Sequence, residues 1–323
     1  MIYIKKLYSL LLMKSSILVG GQAVIEGVMM RVPGAYATSV IDKNGEIKTQ
    51  VENFQPIIER KPQFNVPIVR GAVGLYEAMK IGFKTLQWSS DIAYEEESQS
   101  SNKFLDFLMT AFAILFSISL FIILPLAITT FFFEKSQMPI YFNLLSGGIR
   151  IIIFLIYLFL ISLTNDAKRL FQFHGAEHKA IYVFENGLDL IPSSATNFPT
   201  QHPRCGTSFM FIIMIVAILT FSFIDYAFQN IFGFINIYSR IITHIIFIPL
   251  VSGFGYEILK LSAKESGNII LKILTKPGIW LQHITTKQPS DEQLSVAFMA
   301  LKSAFGDRLE KYKGKKHIAD AIG

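Results

Sequence analysis

The sequence predicts an α+β integral membrane protein with four transmembrane helices, a cytoplasmic N-terminal β-rich domain and a helical C-terminal region. Three observations carry that prediction. Of 323 residues, 51% are hydrophobic and 17% charged, whereas a soluble domain carries about a quarter charged residues. The mean hydropathy is +0.43, and the apolar residues gather in four long blocks. Lys and Arg avoid every second segment between those blocks. These features exclude a disordered chain and speak against an ordinary soluble enzyme.

Residues 1–12 (MIYIKKLYSLLL) join a basic start to an apolar run too short to span, with no small-residue cleavage site after it. They read as an upstream extension, with Met13 as an alternative initiator, and the chain divides after an extension at 1–14. Residues 15–103 then form the β-rich domain, a helix and a polar linker. Ala35–Asp42 and Glu46–Phe54 alternate around Lys43-Asn44-Gly45, a hairpin signal. An earlier strand-like run is punctuated by Gly20-Gly21 and Gly27. Pro67 opens a helix to about Trp88, since proline suits the first turn. Residues 91–103 (DIAYEEESQSSNK) are the linker.

The first two spans fall in 104–165. Phe107–Phe133 lacks charge over 27 residues, about 40 Å as helix at roughly 1.5 Å per residue, with Pro125 as a kink site. The second block lies near Leu144–Thr164. Arg150 interrupts it and must snorkel toward the outer face. Residues 166–206 form a central cytoplasmic loop. Spans three and four fall in 207–256: Gly206–Ile224, ended by Asp225, and Ile237–Tyr256, with Arg240 at its outer end and His244 and Pro249 inside.

Charge orients these blocks. Residues 1–103, 164–207 and 253–323 hold 27 of the 30 Lys and Arg; the other segments hold Lys135, Arg150 and Arg240. Basic loops stay in the cytoplasm, so both termini are cytoplasmic in a bacterial-type membrane. The net charge of +6 is accounted for in this way. No basic stripe interleaved with aromatics marks a nucleic-acid module. The expected partners are the lipid bilayer and a membrane protein, with no nucleic acid; the oligomeric state stays open. One cysteine, Cys205, excludes an intrachain disulfide and suits a reducing compartment.

Residues 257–323 read as helical. Phe254–Ile273 continues the fourth span, Pro277–Gln282 with Trp280 forms a short interfacial helix, and Ser290 caps a helix with Asp291 and Glu292 in its first turn. Leu294, Ala297, Phe298, Leu301 and Phe305 follow helical spacing on it.

The central loop holds the chemistry. It begins His174-Gly175-Ala176-Glu177-His178-Lys179. On a helix, positions 174, 177 and 178 return to one side. Two imidazoles so spaced suit one divalent cation, by ligand type zinc, with a carboxylate beside it to act on bound water. This is the His-x-x-Glu-His order of inverted zincins. His202-Pro203-Arg204-Cys205-Gly206-Thr207 adds another imidazole and the thiol. His174, His178, His202 and Cys205 are the metal candidates. A closed tetrahedral site using all four would be structural. A catalytic site would use three, His174, His178 and either His202 or Cys205, with Glu177 as general base. Glu177 would itself be a ligand to a harder metal. Spacing does not choose among these.

A second candidate is Gly20-Gly21-Gln22-Ala23-Val24-Ile25-Glu26-Gly27-Val28-Met29-Met30-Arg31. Alternation places Gln22 and Glu26 on one strand face, so Gln22, Glu26, Arg31 and Arg204 are substrate-binding candidates; on spacing alone, a bulged structural strand is the favoured reading of this run. His244 reads as a packing residue, and Glu257 with Lys260 as a helix-surface pair. Arg31, Arg70 and Arg204 suit an anionic head group or phosphate, or topology alone. No Walker loop, Ser-based triad or dinucleotide fingerprint occurs.

GGQAVIEGVMMR (20–31), HGAEHK (174–179) and HPRCGTSF (202–209), with VRGAVGLYEAMKIG (69–82) and LQHITTKQPSDEQLSVAFMAL (281–301), resemble the signature blocks of the bacterial YqhQ-like membrane family. The resemblance runs from about Met13 onward. It implies a domain of unknown function, described as a predicted metal-dependent enzyme of the bacterial cytoplasmic membrane. Two readings follow: a membrane-embedded metal-dependent hydrolase, or a non-catalytic scaffold or assembly factor with a structural metal.

Overall fold

The computed structural model describes residues 19–94, 103–132, 139–203, 205–262 and 269–315. The 1–14 extension, most of the polar linker, Lys135 and Arg204 lie outside them.

Four strands form one antiparallel sheet in the order β1-β2-β3-β4: β1 (Gly20–Val24), β2 (Gly27–Val32), β3 (Ala35–Ile41) and β4 (Ile47–Asn53). The 43–45 turn signal sits where β3 meets β4. Asp42 Oδ1 accepts the N–H groups of Asn44 and Glu46, and Gly45 takes φ +81°, a conformation in which glycine has no Cβ penalty. The run at 20–31 is itself a hairpin. Val24 pairs with Gly27, so Glu26 lies in the turn, with φ 52°, and pairs with Arg169. The expectation that Gln22 and Glu26 share a strand face fails here, because the strand ends between them.

The sheet is covered on both faces, which is why β3 is buried along its whole length. Met29, Tyr36 and Val40 face the 25-residue helix α2 (Val69–Ala93), meeting Ile81; a four-residue helix, α1 (Ile57–Arg60), precedes it. Val28, Met30, Ala37 and Ile41 face the opposite way, into the largest core. There they meet two helices from far along the chain, whose ranges close this description. N- and C-terminal segments thus form one core.

Three helical segments are long and apolar enough to cross a membrane: Phe107–Phe132, Ile140–Ile161 and Met210–Phe232. The first comprises α3 (Lys103–Ile118) and α4 (Leu124–Phe132), joined by a π-helical turn at Ser119–Ile123. Pro125 follows that turn; its ring would clash with the carbonyl four residues earlier in a regular helix, and the wider turn relieves this. The second lies in α5 (Pro139–Ile161). Arg150 stands midway along it, not at an outer end, because the helix begins earlier than charge counting suggests. The third lies in α7 (Gly206–Phe232), which runs through Asp225 rather than ending there.

The reason is tertiary. Asp225 is fully buried, accepts Asn143 Nδ2 at 2.8 Å and His244 Nε2 at 3.2 Å, and forms an ion pair with Arg240, whose Nε lies 3.1 Å away. His244 also stacks on Phe221 at 4.0 Å between centroids. The fourth block is a broken pair, α8 (Ile237–Ile246) and α9 (Ile248–Ser262), bent by 54°. Pro249 lies in the first turn of α9 and has no N–H to continue the α8 ladder. Three segments therefore suit a membrane, or four if the bent pair counts as one crossing. Apolar windows buried to the extent of 11%, 17% and 33% present their greasy surface outward, as bilayer-facing helices do.

The side chain of Lys260 lies outside those described, whereas Glu257, on α9, reaches across to α2. It accepts Arg70 Nε at 2.7 Å and Nη2 at 2.5 Å, locking α2 to α9. Ser252, Gly253 and Tyr256 pack against Ile68 and Gly71 in the same seam.

The central loop is mostly helix: α6 (Asn165–Glu185), capped by Thr164, whose hydroxyl accepts the Ala167 N–H. Next come α10 (Ile269–Thr285) and α11 (Asp291–Phe305). Pro277–Gln282 is not a separate helix; it forms part of α10, with Trp280 two-thirds exposed. Ser290 and Gln293 form a reciprocal capping box on α11, and Leu294, Ala297, Phe298, Leu301 and Phe305 are buried. Helices α6 and α11 are the two that close the large core beneath the sheet.

Candidate metal centre

Helix α6 is buried from Gly175 through Phe184 except for a partly covered Tyr182. Polar side chains so enclosed need partners. A Cβ on Gly175 would collide with the Lys287 carbonyl oxygen. Glycine there admits the segment after α10 close enough for Thr285 O to lie 2.8 Å from His174 Nδ1. On the next turn, His178 Nδ1 lies 2.5 Å from Thr200 O.

A carbonyl oxygen only accepts, so Nδ1 donates in both rings. In the neutral imidazoles the lone pair then sits on Nε2. His174 Nε2 lies 3.2 Å from Cys205 Sγ. His178 Nε2 is buried with no hydrogen-bond partner among the described residues. The two rings are 4.4 Å apart. Cys205 is the N-cap of α7, and its sulfur accepts the Thr207 N–H at 3.5 Å and hydroxyl at 3.3 Å. One ligand atom from each of His174, His178 and Cys205 lies within 4.8 Å of the others.

The donor set fits a cation. Two imidazole nitrogens and a thiol are zinc-type ligands. Tetrahedral ligation at about 2.0 and 2.3 Å separates N from S by roughly 3.6 Å, close to the distance found. Carbonyls behind both imidazoles are the outer contacts that orient metal-binding histidines. A buried lone pair without a donor is the feature a cation would satisfy.

His202 stands beside this group but outside it. Its ring lies 5.6 Å from that of His178 and 4.7 Å from Tyr182. Its backbone is fixed by Gln282: the His202 N–H donates to Oε1 at 2.7 Å, and Nε2 donates to the His202 carbonyl at 3.0 Å. Spacing gave no sign of Gln282, which lies 80 positions away.

Glu177 leans the other way, toward β1. It is buried and takes a hydrogen bond from the Gly21 N–H; burial raises its carboxyl to about 7, against the pull of His174 and of that N–H. A Cβ on Gly21 would meet the Met29 carbonyl and Glu177 Cγ, so the second of the paired glycines admits Glu177.

The substrate-binding candidates separate. Gln22 Nε2 donates to Thr85 Oγ1 at 2.8 Å and ties β1 to α2. Glu26 is held by Arg169. Arg31 lies over the Phe54 ring at 4.4 Å and lines a small cavity of about 60 Å³ with Gly20, Gly21 and Gln22. Burial lowers its guanidinium below the usual range. Arg204 is outside the described residues.

A family described as a protein of unknown function (DUF1385) matches residues 66–307. Among curated proteins, the chain is similar to Uncharacterized protein YqhQ of Bacillus subtilis (strain 168), with 32% identity over 301 residues that cover 86% of this chain and 89% of the relative. The resemblance to the YqhQ-like family is borne out. No solved structure matches.

Proposed function

The chain belongs to the DUF1385 family, whose description assigns no activity, and from the geometry of its site we propose a metal-dependent hydrolase embedded in the bacterial cytoplasmic membrane. The ligands of its divalent cation, by donor type zinc, are His174, His178 and Cys205. The supporting observation is that both Nδ1 atoms face backbone carbonyls, while His174 Nε2 meets the sulfur and His178 Nε2 is buried with no hydrogen-bond partner among the described residues, one ligand atom of each residue lying within 4.8 Å of the others. Three protein ligands leave a fourth position for water or substrate, the catalytic pattern. When bound, a zinc ion supplies Lewis acidity toward a substrate oxygen.

Although hydrogen-bonded toward β1, Glu177 remains within the electrostatic reach of His174, and its carboxylate would hold or accept the proton released during hydrolysis. The Gly21 N–H keeps that carboxylate in place. Arg31, in the cavity beside Gly21, would hold an anionic substrate group, with Arg204 as a second cation.

Orientation follows from charge. Counting α8 and α9 as one crossing gives four, with both termini and α6 on the basic side, the cytoplasm. A re-entrant α8–α9 would put one terminus outside and strand its Lys and Arg there.

Metal analysis of the purified protein tests this reading, with H178A, C205S, H202A and E177Q alongside. One zinc per chain is expected, lost in H178A and C205S and kept in H202A and E177Q. Hydrolysis of a panel of ester, phosphoester and peptide substrates should vanish in E177Q. A wild-type protein that takes up no zinc defeats the proposal. Zinc lost in H202A as fully as in C205S, with E177Q silent, would instead mark a structural site in a scaffold or assembly factor.

A further inference from the structure

A large cavity lies away from the His/Cys cluster. It is a groove of about 720 Å³ between the α1–α2 segment and the bend joining α8 to α9, a volume that accepts a drug-sized ligand. Phe64, Val73 and Tyr76 form one wall; Ile246, Pro249 and Leu250 form the other. Among the described residues, its only charged lining residues are Arg60 and Lys61. Both are exposed, and neither has a carboxylate partner among the described residues.

The groove is held open by specific contacts. The buried Glu77 carboxylate accepts the Ile57 N–H at 2.6 Å and so fixes the short helix that carries Arg60. Ile68, which also lines the groove, has φ 70°. A β-branched residue adopts that backbone only under constraint. Gly253 supplies the constraint: Ile68 packs so closely on it that any Cβ would overlap Ile68 Cγ2 and O. From Tyr76 on the groove wall the apolar surface continues outward along α2 through Met79 and Phe83; the three are 60%, 52% and 67% exposed.

We propose that this groove binds an anionic phospholipid, with an acyl chain between α2 and the α8–α9 bend and the phosphate at Arg60 and Lys61. Three features select that occupant. One wall belongs to a candidate membrane-crossing pair, so the groove opens where acyl chains are. An unpaired cation couple on an apolar slot matches a single-charge head group on a hydrocarbon tail. The outward aromatic and methionine stripe of α2 makes an amphipathic helix lying in lipid, and would be an aggregation liability in water. The inference rests on the membrane placement proposed above and not on the metal centre.

Native mass spectrometry of the full-length protein in detergent, given equimolar phosphatidylglycerol and phosphatidylcholine, tests it. One phosphatidylglycerol should be retained, with a preference of roughly tenfold. An R60Q/K61Q variant should lose that preference yet retain both lipids equally. An A72W variant, which fills the groove, should retain neither. Thermal unfolding, compared with wild type, reports whether each variant is folded. Equal retention of the two lipids by wild type, or an undiminished preference in R60Q/K61Q, overturns the proposal. So does displacement of the lipid by glycerol phosphate alone, which would mark a soluble anion site. Failure of the membrane placement is separable: the wild-type protein would then not float with phosphatidylglycerol vesicles.

Discussion

His174 Nε2 lies 3.2 Å from Cys205 Sγ, although the two belong to different helices and 31 positions separate them. The contact exists because α6 and the start of α7 are clamped to a third element, α10 and the residues after it. Thr285 O holds His174, and Gln282 holds His202 just before Cys205. The cluster is therefore as rigid as the approach of that third element.

Gly175 controls the approach, so Gly175→Ala should weaken zinc binding without touching a ligand. Its Cβ would collide with the Lys287 carbonyl and crowd Thr200 Cγ2 at 3.3 Å. Both neighbours adjoin the segments whose carbonyls orient His174 and His178. Loss of such outer contacts costs about 10–100-fold in metal affinity. Competition against a chromophoric chelator measures it. Unchanged affinity would show that the carbonyls do not orient the rings.

Gly21→Ala should destabilise the fold by roughly 1–3 kcal/mol, the usual cost of overpacking. The methyl would meet the Met29 carbonyl and stand 3.2 Å from Glu177 Cγ. Gly20→Ala is the matched control, since its Cβ has nothing within 4 Å. It should stay within about 0.5 kcal/mol of wild type. Thermal unfolding of the two variants in detergent should separate them clearly.

The parts legible in sequence were those set by local periodicity. The 43–45 hairpin, the Ser290 cap and the helical stacking of positions 174 and 178 all follow from spacings of a few residues. Glu177 shows the limit: an offset of three puts it on the side of His174, but its carboxylate is drawn to Gly21, in a strand more than 150 positions away. Asp225 looked like the end of an apolar block because a lone carboxylate cannot sit in hydrocarbon unpaired; its partners Asn143, Arg240 and His244 lie on α5 and α8. Arg70 and Glu257 gave no local hint of each other. Periodicity locates faces, and long-range pairing decides what each face meets.

Arg70→Met should cost roughly 2–4 kcal/mol, because it leaves the Glu257 carboxylate in the α2–α9 seam without its bidentate partner. The figure is below that of a fully buried pair since the Glu257 side chain is 21% exposed. Arg70→Met with Glu257→Leu should recover most of the loss, as apolar replacements of both partners often do. If the double variant is no better than the single one, the seam depends on more than this ion pair.

Asp225 supplies the sharpest test of the helical bundle. Among the described residues it is the one carboxylate paired with Arg240 and His244, and its own side chain is 0% exposed while that of Arg240 is 7%. Removing it strands a buried guanidinium, so Asp225→Ala should cost about 3–5 kcal/mol. Asn143 would lose its acceptor as well. Asp225→Ala with Arg240→Met removes the stranded charge, and the Met side chain can still lie on the Phe142 ring that Arg240 covers at 3.4 Å. Most of the lost stability should return in the double variant, read as thermal unfolding in detergent. If Asp225→Ala alone unfolds like wild type, water reaches Arg240, and α5, α7 and α8 are not packed as described.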